Sequence, residues 1–203
     1  MSIVKLNNRS VKDVTAFGSI TSLGSLSHIA TQTASSSASI SFTSGIDSTY
    51  KEYIFYFVNL HPSSGSKFQF QGDTGTNTNY NQTITSTSFN AYHDEGDSYT
   101  AVEYRTDADQ AQGTSFNDLT NYLVVDQSDS SLTGFLHIFN PSSTTFVKHF
   151  ISTTQIMNGV SNFYSINNFH AGYFNTTTAL TRFQFKFASG NIDSGQILLF
   201  GLN

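Results

Sequence analysis

The stretch Lys51–Leu60 reads KEYIFYFVNL. Successive side chains of a strand point to opposite faces. One face then carries Tyr53, Phe55 and Phe57, and the other carries Ile54, Tyr56, Val58 and Leu60. Both are apolar. Two further segments share the property. GFLHIFN (134–140) sets Phe135 and Phe139 against Leu136 and Ile138, and GQILLFGL (195–202) sets Ile197 and Leu199 against Leu198, Phe200 and Leu202. LTRFQFKF (180–187) differs, with Phe183, Phe185 and Phe187 on one side and Arg182, Gln184 and Lys186 on the other. That is the alternation of a strand with one wet face.

A two-layer sandwich hides one face of each sheet. Full burial of a large apolar side chain is worth about 1.5–3 kcal/mol, so several left wet on each of three strands would forfeit several kcal/mol and make an adhesive patch. The second faces therefore predict another cover, either the chain's own arm and loops or a neighbouring subunit. The neighbour is the preferred reading.

The rest of the composition points to an all-β domain. Hydrophobic residues are 37% and charged residues 11% of the 203, while aromatics, all Phe and Tyr, reach 14%. Aromatic and branched side chains suit a pleated surface, and long amphipathic helices would want more Ala, Leu, Glu and Lys. Short runs of alternating residues separated by turn signals predict about ten strands between residues 28 and 203. Among them are 82–92, 99–105, 120–126, 132–139, 144–152 and 163–174, with KFQFQ (67–71) placing Phe68 and Phe70 inward and Lys67, Gln69 and Gln71 outward. Loops are expected at 72–81, 93–118 and 155–165. The predicted architecture is an antiparallel, jelly-roll-like β-sandwich.

Residues 1–27 read as an extended anchoring arm. Lys5, Arg9 and Lys12 stand there against one acid, Asp13, among irregularly spaced apolar residues that include Val4, Leu6 and Val11. The net charge of −5 offers no basic footprint for nucleic acid. No run of 18 apolar residues predicts a membrane-spanning helix, and the first residues show no secretory h-region. Without cysteine there is no disulfide, thiol nucleophile or Cys-ligated zinc.

Chemistry is sparsely marked. The six histidines lack metal-binding spacing, and His137, on the side of Phe135 and Phe139, reads as a core or interface residue. The acids Asp94, Glu95, Asp97, Glu103, Asp107 and Asp109 make a solvated loop in the first instance, with calcium the alternative. Asp94 and Glu103 are a candidate glycosidase pair, as any acidic loop would supply. No nucleophile elbow, phosphate loop or dinucleotide fingerprint occurs, and the chain reads as a non-enzyme without cofactor or metal. Tyr80, Asn81 and Tyr92 are candidate glycan contacts, since tyrosine combines a flat apolar body with a polar tip.

Four stretches carry a family likeness: SIVKLNNRSVKDVTAFGS (2–19), ASSSASISFTSGIDSTYKEYIFYFVNLHP (34–62), FLHIFNPSSTTFVKHF (135–150) and FKFASGNIDSGQILLFGL (185–202). Together they resemble structural proteins, fibre-like or decoration, of marine tailed bacteriophages, including cyanophages. The resemblance implies a jelly-roll-like domain built into a virion beside other virion proteins, as a symmetric oligomer taken to be a trimer. It carries no catalytic residues. The expected function is that of a tail-fibre, appendage or capsid-decoration subunit, assembled in the bacterial cytoplasm through its arm and through Ile54, Tyr56, Val58, Phe135, Phe139, Leu198 and Phe200. The alternative is a carbohydrate-binding or receptor-binding module for host glycans.

Overall fold

The computed structural model describes residues 26–159 and 163–203. Val4, Lys5, Leu6, Arg9, Val11 and Lys12 lie outside them. Twelve strands and no helix occur among the described residues. They are β1 (Leu26–Thr33), β2 (Ile40–Phe42), β3 (Glu52–Pro62), β4 (Phe68–Thr74), β5 (Ile84–Asp94), β6 (Thr100–Tyr104), β7 (Asn117–Asp118), β8 (Leu132–Phe139), β9 (Lys148–Asn158), β10 (Tyr164–Phe174), β11 (Leu180–Phe187) and β12 (Ile192–Leu202). β1 opens two residues before the expected domain boundary, pairing Leu26 with Leu202.

The pairing runs from the chain ends inward: β1 with β12, β2 with β11, β3 with β8 and β4 with β7, all antiparallel. This long folded hairpin rolls so that consecutive strands fall in opposite sheets, which is the jelly-roll arrangement. Two insertions, β5–β6 and β9–β10, both join the same sheet. One sheet thus has eight strands in the order β1-β12-β3-β8-β9-β10-β5-β6, and the other has four, β2-β11-β4-β7.

Between the sheets lies a phenylalanine core. Phe55 and Phe57 of β3 meet Phe183 and Phe185 of β11, and Phe70 of β4 meets Phe150 of β9 at 5.0 Å. Phe68, Phe70, Phe183 and Phe185 are fully buried, as the alternation in β4 and β11 predicts.

Three placements differ from the sequence reading. Leu60 is fully buried on the same side as Phe57, not on the side of Val58. The cause is a β-bulge in which Val58 and Asn59 together oppose Thr133, with Asn59 at φ +49°. One extra residue reverses the facing of all that follow. Across the sheet the bulge is received by Gly195, at φ +105°, where a Cβ would stand 2.4 Å from the Asn59 carbonyl oxygen. Second, Gln71 lies beside Gln184 on the outer face of the narrow sheet, as alternation predicts, but loop residues cover it and it is fully buried rather than wet. Its amide donates to the carbonyls of Gln82 and Ser115, each at 3.0 Å, and its oxygen accepts from the Gly72 N–H. Third, residues 120–126 are not a strand, and 155–165 is mostly the continuation of β9 and the start of β10.

The wide sheet outruns the narrow one, and the chain from β7 onward, residues 119–124, crosses the rest of its inner face. Irregular backbone buried this way needs side-chain partners, and the sheet supplies them. Ser86 donates to Asn117 Oδ1 (2.8 Å), Ser88 to Asn121 Oδ1 (2.5 Å) and Thr154 to the Leu119 carbonyl (2.6 Å), while Asn168 Oδ1 accepts from the Asn121 N–H (2.9 Å). All these strand residues are buried. His170 closes the seam, 1% exposed, with no partner on either ring nitrogen.

Two predictions follow from this arrangement. Gly195→Ala removes the seat of the bulge, and we expect a loss of about 1–3 kcal/mol, read as a lower urea midpoint at unchanged slope. Burial, with a smaller contribution from the Lys67 charge, depresses the His170 pKa to about 3. Below roughly pH 6.5 the unfolded chain takes up a proton that the fold refuses. Stability should then fall by about 1.4 kcal/mol per pH unit from there toward pH 3, and denaturant titrations of His170→Gln should lack that slope.

Candidate functional site

The three strands that are apolar on both sides, β12, β3 and β8, are neighbours in the centre of the eight-stranded sheet. Their second faces therefore pool. Leu198 stands opposite Tyr56 and Tyr56 opposite Phe135, while Phe200 stands opposite Ile54 and Ile54 opposite His137. The Tyr56 ring meets Phe200 at 5.6 Å and Phe135 at 6.4 Å, both edge to face. Aromatic pairs of this geometry contribute roughly 0.5–1.5 kcal/mol beyond their area.

Strand pairing carries the same rows beyond this centre. On one flank His28 of β1 packs its ring against Phe200 at 5.2 Å. On the other, Thr153 of β9 follows Phe135, and then come Phe169 of β10 and Phe89 of β5, whose rings stack at 4.8 Å and 10°. Tyr104 of β6 ends that row. Ile151 lies in the adjoining row, beside His137. The face thus extends across all eight strands.

Its exposure sorts the expected assembly residues. Ile54 is buried at 4% by its row neighbours. Tyr56, Phe135, Phe139, Leu198 and Phe200 are half-buried, and Val58, Phe89 and Ile151 are 41–50% exposed. His137 Nδ1 is bonded to the Glu52 carboxylate. Toward β9, β10 and β5 the apolar residues are interspersed with polar ones, where Gln155 donates to Ser165 and accepts from Asn167.

The expected glycan contacts do not come together. Tyr80 is 6% exposed, because buried Asp73 accepts its backbone N–H at 2.8 Å and turns the 72–81 loop inward. Asn81 remains exposed. Tyr92 belongs to a different cluster, with Tyr99, Tyr122 and Tyr164. The sequence reading missed that gathering, since the four tyrosines come from three different segments and share no spacing.

The acidic segment is largely structural. Buried Asp94 accepts from the backbone N–H groups of Ser98 (2.9 Å) and Tyr99 (2.6 Å) and from the Ser98 hydroxyl, and so builds the β5–β6 turn. Asp107 pairs with Arg105 and Lys67, and these bonds, Arg105 first, hold its carboxyl below the usual range. Glu103 accepts from the Tyr92 hydroxyl at 2.8 Å. Among the described residues no group of three His, Asp or Glu is placed to hold a metal ion, and no helix is long and apolar enough to cross a membrane.

No family model matches the chain. No curated protein is significantly similar to it in sequence.

The exposure of the outer face has a direct consequence for stability. Val58→Glu and Ile151→Glu replace side chains already in contact with water, and each should change the unfolding free energy of the isolated domain by no more than about 0.5 kcal/mol. Chemical denaturation of the two variants checks this.

Proposed function

We propose that this chain is a structural protein of a bacteriophage virion, a subunit of a tail fibre, tail appendage or capsid decoration. It closes into a symmetric homo-oligomer, a trimer, through the outer face of its eight-stranded sheet. The basic arm read at residues 1–27 serves to anchor it to adjacent virion proteins, and the protein works without catalysis, in the virion, after assembly in the bacterial cytoplasm.

The single observation that supports this reading is the pooled outer face. A lone apolar strand is ordinary, but contiguous apolar surface across a wide sheet marks an interaction site. Obligate interfaces resemble a domain core cut in half, and the edge-to-face aromatics of β12, β3 and β8 fit that description. Jelly rolls whose subunits have permanent neighbours can keep such a face without aggregating, because it is never presented to solvent for long.

Native mass spectrometry of the full chain at micromolar concentration tests the proposal. The expected species is three times the 22.3 kDa chain. Leu198→Lys with Phe135→Lys should convert it to folded monomer, and deletion of residues 1–20 should leave the strands intact while weakening attachment to other virion proteins. A wild-type chain that stays a stable 22.3 kDa monomer would overturn the reading.

A further inference from the structure

At the β5–β6 end of the wide sheet a cavity of about 240 Å³ is lined by Tyr92, Tyr99, Tyr122, Tyr164, Asn158 and Ile166. Two of the rings stand nearly perpendicular to Tyr92, Tyr122 at 6.2 Å and 76° and Tyr164 at 5.9 Å and 75°. Tyr99 tilts over the same ring at 5.6 Å and 31°. The four rings, packed around Tyr92, border a space large enough for one small head group.

Behind the box sits a carboxylate. Glu103 accepts from the Tyr92 hydroxyl at 2.8 Å and from the Tyr122 hydroxyl at 3.4 Å, which fixes both rings, and it shares its charge with Arg105 at 3.6 Å. Loss of solvent and the bonds to Tyr99 and Glu103 keep the Tyr92 phenol protonated far above its usual pH range. Residues 93–109 carry six carboxylates and one arginine, so the surrounding field favours a cation. The arginine already shows the preference: the Arg105 guanidinium carbon lies 4.3 Å from the Tyr122 ring centre.

We propose that this tyrosine box binds a quaternary ammonium group of the choline type. Such a cation is attracted to aromatic faces and has no N–H groups to satisfy, which matches a lining of four rings, one isoleucine and Asn158, whose amide already donates to the Leu123 carbonyl. A primary ammonium is strongly hydrated and would leave its donors unpaired. A sugar would bury several hydroxyls, each needing a partner, against a lining whose amide is one Asn158 and whose phenols at Tyr92 and Tyr122 are bonded to Glu103.

The test is NMR titration of the full chain with choline and with 3,3-dimethyl-1-butanol, its uncharged carbon isostere. Choline is expected to shift the tyrosine ring resonances and to bind at least about tenfold more tightly than the isostere. Tyr99→Ala, at an exposed ring, should weaken choline binding severalfold without changing the fold, and Glu103→Gln should narrow the preference over the isostere. Phosphatidylcholine vesicles in a co-sedimentation arm distinguish a lipid head group from a free solute: pelleting of the wild type and not of Tyr99→Ala assigns the lipid source, and choline binding without pelleting assigns the solute. Equal affinity for choline and the isostere, no choline binding up to tens of millimolar, or displacement of choline by glucose or galactose at equal strength would each overturn the proposal.

Discussion

The packing of Phe185 is the contact on which the rest of this molecule depends. Its ring meets Phe42 of β2, Phe68 and Phe70 of β4, and Phe55 and Phe57 of β3. Those partners include both neighbours of β11 in the narrow sheet and the central strand of the wide one, so one side chain ties the two layers together. Antiparallel pairing alone would leave two separate sheets. The phenylalanine layer, worth on the order of 2–3 kcal/mol for each buried ring, is what makes them a sandwich.

Once the layers are joined, their unequal width has two results. A four-stranded sheet cannot cover an eight-stranded one. On the inner side the parts of β5, β9 and β10 that the narrow sheet leaves uncovered are roofed by irregular chain, and a roof of that kind must be hydrogen-bonded rather than greased. Hence Ser86, Ser88, Asn90, Thr154 and Asn168 face inward, and the apolar Phe89, Ile151 and Phe169 face out. On the outer side nothing in the jelly roll supplies a third layer. The apolar residues of β12, β3 and β8, and those that β9, β10 and β5 turn outward, therefore fall on one continuous face, where the assembly proposal places neighbouring subunits.

The pattern-bearing part of this structure was legible in the sequence because it depends on neighbours two residues apart. The strand at 132–139, the one-sided phenylalanines of 180–187 and the two-sided character of 51–60 all follow from side-chain alternation. Leu60 was misplaced because alternation holds only while each residue has one partner, and a bulge is set by the strand across the sheet. Gln71 and the serines of β5 mislead for a related reason: polar residues on a strand signify water unless buried backbone elsewhere needs them. The tyrosine box was invisible, since residues 92, 99, 122 and 164 have no local relation.

By itself the sequence determined that the chain is all-β, where most strands begin and end, and that three of them are apolar on both sides. These are properties of short stretches, settled by backbone sterics and side-chain chemistry within a few residues. Tertiary structure alone decided that those three strands lie side by side, that the inner face of β5 is the polar one, and that Glu103 bonds two of four gathered tyrosines. Such outcomes come from pairing between residues far apart in the chain, where the rolled hairpin brings ends to ends and each inserted residue changes which side of the sheet meets the core.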